Sequence, residues 1–149
     1  MTSTGQRSLL VAGGAALAGG ALHVAALVGG PRWIAALGAP AAIVQLAREG
    51  SWLVPAGGIG ITLLMWLCAA YAFSGAGRWT RLPLLRSGLA GIALVCTARA
   101  MLVVPLLAMR AHLPAHVVHF EIVAAFIWFA IGLAYLLGLA SRWKELAVA

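Results

Sequence analysis

Acidic side chains are nearly missing from this sequence: three in 149 residues, against ten lysines and arginines, with charged residues making up only 9% of the chain. A soluble domain covers its surface with roughly a quarter charged residues, so a water-exposed globule is excluded. Cysteine is as sparse, and both residues, Cys68 and Cys96, fall inside apolar runs. Thiols in such places act as small hydrophobes and report nothing about redox compartment. Their predicted depths on different helices argue against a disulfide. A basic face interleaved with aromatics is also lacking, which excludes nucleic acid as a partner despite a net charge of +7. Nor is there a nucleophile with its base. Ser51, Ser74 and Thr62 have no histidine and acid at recognisable spacing, and Cys68 lies toward the end opposite every histidine. No catalytic residue is assigned.

What remains is apolar, with 64% hydrophobic residues and a mean hydropathy of +1.04. The expected fold is an all-α integral membrane protein forming a single membrane domain over 1–149. It is a four-transmembrane-helix bundle with a short interfacial amphipathic helical segment between helices one and two. The spans are expected at 8–28, 52–73, 84–107 and 115–140. The first apolar run covers 21 residues, longer than the apolar core of a signal peptide, and reads as a spanning helix. Within it Ala12, Ala16 and Gly20 recur every four residues, a spacing that lets helix backbones approach. His23 follows on the same face and is expected to look into the bundle.

Gly29, Gly30 and Pro31 stop this helix. The segment 31–50 then reads as two short helices, one opened by Pro31 and ended by Gly38, the other opened by Pro40 and ended by Gly50. It is expected to lie along the membrane boundary, over the outer side where it could act as a lid, with Trp33, Trp52, Trp79 and Trp143 as interfacial anchors. Pro105 is expected to bend the third span. Pro114 suits the first turn of the fourth, where Ala125, Trp128 and Gly132 share roughly the face of Glu121.

Two charges fall well inside the last two spans, Arg99 and Glu121. A charge at membrane depth costs roughly 2.5 to 3.5 kcal/mol on insertion scales, so it is kept only when paired or functional. Counted from Ala111, at the centre of the connecting turn, Arg99 lies twelve residues before and Glu121 ten after. At a rise of about 1.5 Å per residue their depths differ by only ~3 Å, and the two are expected to meet. With His23 they would form a polar site near the outer face. Arg99 would anchor an anionic group such as phosphate or carboxylate, and Glu121 and His23 would exchange protons. Such a site would bind or translocate a small ligand or proton. The alternative is a non-catalytic accessory subunit whose charges only hold helices together, within a homo-oligomer or a larger membrane complex.

No cofactor is predicted outright, but two lesser options stand. His112, His116 and His119 are spaced to offer a metal site if their helix is continuous. His23 with His116 or His119 would allow haem ligation. Elemental analysis and a Soret band in the purified protein would test them. Six basic residues, Arg7, Arg78, Arg81, Arg86, Arg142 and Lys144, fall on one side of the expected topology, and Arg32, Arg48 and Arg110 on the other. The lipid bilayer is the expected partner. The charge bias is expected to place both termini in the cytoplasm, and the membrane is expected to be a bacterial inner membrane.

Overall fold

In a computed structural model, residues 3–112 and 114–147 are described, except for the side chains of His112 and His116. Every regular element among them is helical: α1 (Thr4–Gly29), α2 (Pro31–Ala36), α3 (Ala41–Arg48), α4 (Leu53–Gly75), α5 (Leu85–Met101), α6 (Val103–Ala108) and α7 (Ala115–Ser141), with 3-10 turns at Arg110–His112 and Glu145–Ala147. Four stretches are long and apolar enough to cross a membrane: α1, α4, the α5–α6 run Leu85–Ala108, and Val117–Ser141 of α7, with 26, 23, 24 and 25 residues. At about 1.5 Å per residue each exceeds the ~30 Å hydrocarbon thickness. Their outward side chains are apolar, Phe126 and Leu94 being 72% and 70% exposed. Lipid tolerates such a surface and water does not.

The ends of these helices follow from local chemistry. Ser3 Oγ accepts the Gln6 N–H at 3.3 Å, so α1 begins four residues before the apolar run that the sequence marks. Gly50 and Gly77 have φ of +71° and +72°, the left-handed conformation that a side chain disfavours. There the chain turns back on α3 and α4: Ser51 N–H reaches Leu46 O at 3.0 Å and Arg78 N–H reaches Phe73 O at 2.9 Å, satisfying carbonyls that would otherwise be orphaned. The third span is broken at Leu102. Pro105 has no N–H to give Met101 and crowds that carbonyl, and Leu102 N–H bonds Arg99 O at 3.3 Å in a tighter turn.

The chain divides into two packing units. One comprises the residues up to Ala15 and those from Cys68 onward. Its core is built around Leu9, Leu89 and Tyr135, all fully buried, and small residues fill the spaces between: Ala12, Ala72, Ala76 and Ala93. The most extensive packing is between α5 and α7, and it depends on Gly132. A Cβ there would lie 2.9 Å from Thr97 Oγ1 and 3.2 Å from the Thr97 backbone nitrogen. Tyr135 donates its hydroxyl proton to Cys68 O at 3.0 Å, so its buried ring carries no unsatisfied polar atom. Both cysteines are free thiols.

The second unit, Ala16–Leu67, contains the later part of α1, α2, α3 and the start of α4. Here α2 and α3 pack on one another, and Ile34 and Val44 bury against Ala26 of α1. Gly58 leaves room for Leu27, whose Cδ2 would be 2.7 Å from an added Cβ. The segment 31–50 is thus two short helices, with Trp33 and Ile43 exposed.

Candidate functional site

Arg99 stands in the last turn of α5 and Glu121 in the second turn of α7. The structure brings them together: Arg99 Nη2 donates to Glu121 Oε2 at 2.9 Å. The contact is held from both sides. Gly132, farther along α7, lets that helix approach α5 at Thr97 and Cys96, and the break at Leu102 follows Arg99 by three residues. The two side chains retain 33% and 24% of their surface open. Only one nitrogen and one oxygen make the described bond. A guanidinium has five N–H donors in a fixed fork, so it can keep Glu121 and still meet an anion. Backbone broken at membrane depth is tolerated where it is buried in protein or lines a polar cavity. In this span the break lies beside the ion pair.

His23 belongs to the second packing unit. It is part-buried, and its Nδ1 hydrogen bonds the Gly19 carbonyl one turn earlier at 2.9 Å. A polar ring inside an apolar helix is satisfied in this way. His119 is exposed. The side chains of His112 and His116 lie outside the described residues, so the three-histidine metal arrangement and the haem pairing through His116 do too. Among the described residues no group of three or more histidine, cysteine or acidic side chains is placed to hold a metal. The four expected anchors, Trp33, Trp52, Trp79 and Trp143, are all exposed.

A second polar constellation, at the other end of α7, is one that residue counting used only for orientation. Arg142 donates to the Gly75 carbonyl at 2.6 Å and to Glu145 Oε2 from Nε at 2.9 Å and Nη2 at 2.7 Å. Arg86 lies over the Trp143 ring, 4.4 Å from its centroid, and donates from Nε to Trp143 O at 2.9 Å and from Nη2 to the same oxygen. Arg81 reaches Glu145 O at 3.3 Å. The loop that carries Arg81 is tied down by Leu82 N–H on the buried Ser74 hydroxyl at 3.0 Å and by Tyr71 OH on Pro83 O at 3.2 Å. The sequence signal was an arginine, a tryptophan and a lysine in succession just past the last span. No known protein family, curated protein or solved structure matches the chain.

Proposed function

We propose that this chain is a small polytopic membrane protein in which Arg99 and Glu121 mark a polar site near the outward-facing boundary. The site binds or passes a proton or a small ligand with an anionic group. One observation carries the proposal: an ion pair at 2.9 Å within two apolar spans keeps part of both side chains open, beside a helix break. Arg99 is the anchor, with donors to spare for a phosphate or carboxylate oxygen, and Glu121 is the group that takes up and gives back a proton.

The membrane is a bacterial inner membrane, with both termini in the cytoplasm. Support for the orientation comes from the six-to-three bias of basic residues and from one feature of the first unit. A Cβ on Gly5, at the start of α1, would lie 2.7 Å from Ser141 Cβ at the end of α7, so these two ends share one side.

The test is reconstitution into liposomes holding a pH-sensitive dye, with a potential imposed, paired with thermal unfolding of the purified protein in inorganic phosphate or acetate. Wild type is expected to carry protons or to be stabilised by one of the anions. Arg99→Ala and Glu121→Gln, still inserted, are expected to lose that activity. A wild type that does neither, or variants that match it, would overturn the proposal. The alternative is an accessory subunit, favoured by the direct Nη2–Oε2 contact that already joins α5 to α7. If Arg99→Leu with Glu121→Leu folds and keeps its activity, the charges are cohesive only.

A further inference from the structure

We propose that the cationic end of the first packing unit holds the phosphate of an anionic phospholipid headgroup, in the cleft formed by residues Ala140 to Glu145. The cleft has a volume of about 380 Å³ and is lined by Ala140, Ser141, Arg142, Trp143, Lys144 and Glu145. Four cations border it. Arg142 and Lys144 are in its wall, and Arg81 and Arg86 are bonded to the carbonyls of Glu145 and Trp143. Among the described residues one carboxylate opposes them, Glu145, and Arg142 already holds it through two nitrogens.

The four cations divide into two kinds. Arg142 and Arg86 spend their donors on protein, and so fix the shape of the turn. Lys144 and Arg81 are exposed; Arg81 gives one nitrogen to the Glu145 carbonyl and keeps its other donors, and among the described residues neither is paired with a carboxylate. An oxyanion seated in the cleft meets Lys144 in its wall, with Arg81 held at the Glu145 carbonyl on its border, and a local excess of positive charge. The carbonyl end of α7 opposes an anion with about half a charge, which the surplus cations outweigh.

The surroundings favour a lipid over an ion from solution. Trp143, 49% exposed and backed by Arg86, stands beside the cleft as an interfacial aromatic does. Leu133, Leu136 and Leu137, a turn or two earlier on α7, are 43%, 43% and 48% exposed. A headgroup phosphate in the cleft would let its acyl chains run along this apolar face, whereas a free phosphate has no use for it. The inference is independent of the polar site at Arg99 and Glu121.

Thermal unfolding of the full chain in detergent, titrated with phosphatidylglycerol, phosphatidylcholine or inorganic phosphate, tests this assignment. Phosphatidylglycerol is expected to stabilise at concentrations where the other two do not. Each cation removed is expected to lower its apparent affinity roughly fivefold, so Arg81→Ala with Lys144→Ala should lose about twenty- to thirtyfold. If the double variant does not fold, Lys144→Gln alone should show the single step. Equal stabilisation by phosphatidylcholine would overturn the proposal. Equal stabilisation by inorganic phosphate would reduce it to an inorganic anion site and overturn the lipid assignment. Undiminished affinity in the variants would show that the lipid binds elsewhere.

Discussion

Removing one charge at a time from the Arg99–Glu121 pair, and then both, measures whether the pair holds α5 to α7. Two unit charges about 4 Å apart attract by roughly 4 kcal/mol at an effective dielectric constant of ~20. The price of drawing both groups out of water offsets most of that. The side chains are also open over 33% and 24% of their surface, which weakens the attraction further by screening. Polar pairs between helices in bilayers couple by about 0.6 kcal/mol on average and ~1.7 kcal/mol at most. An ion pair with this geometry is expected at the upper end, about 1 to 2 kcal/mol. Arg99→Leu strands a carboxylate in an apolar span and should destabilise by about 2 to 3 kcal/mol, less than the 3 to 5 kcal/mol for a fully buried pair. The double leucine variant should fall within about 1 kcal/mol of wild type, because neither partner is left alone. The assay is reversible unfolding in mixed micelles with a rising fraction of dodecyl sulfate, followed by circular dichroism. A coupling energy below about 0.5 kcal/mol, with the single losses simply adding, would show that the contact does not hold the helices together.

The same assay checks two further expectations in the core of the first unit. An alanine at Gly138 would place its Cβ 2.6 Å from Leu9 Cδ2 and 3.2 Å from Gly5 O. Leu9 is fully buried and cannot swing aside, so Gly138→Ala should cost about 1 to 3 kcal/mol by overpacking. Adding Leu9→Ala should recover part of that loss, and a strictly additive pair would refute the predicted clash. Tyr135→Phe removes the hydroxyl bonded to Cys68 O at 3.0 Å while keeping the ring. A loss of about 0.5 to 1.5 kcal/mol is expected, and no measurable change would mean that the bond adds nothing to stability.

The four apolar helices were legible because bilayer thickness sets a length and lipid sets a composition, and both are written in residue order. The meeting of Arg99 and Glu121 was legible for a related reason: the connection between their helices is short, so counting from its centre fixes relative depth. The bend in the third span followed from Pro105 alone. Other features depend on side chains distant in sequence. Leu9 inserts beside both Gly75 and Gly138, and no local pattern selects those glycines over Gly14 or Gly91, where an added Cβ meets nothing within 4 Å. The early start of α1 was missed because a polar N-terminus was read by hydropathy, whereas Ser3 acts there as a helix cap. Likewise the arginines at and beyond the span ends were counted as charges. Their bonds to Gly75, Trp143 and Glu145 form only once the ends of α4 and α7 and the start of α5 lie side by side.

Those arginine bonds have a bearing on mutational tolerance in the last residues of the chain. The receiving atoms are carbonyls of Gly75, Trp143 and Glu145, which every amino acid possesses, so changing the identity of an acceptor leaves its half of the bond intact. The donors have no such freedom: a lysine offers one ammonium where Arg86 uses two nitrogens on the same oxygen while its plane lies on the indole. Of the three acceptors only Glu145 is thus free to change without touching the tether's packing, since a side chain at Gly75 would meet Leu9 and Leu89 and loss of the Trp143 indole would bare Arg86.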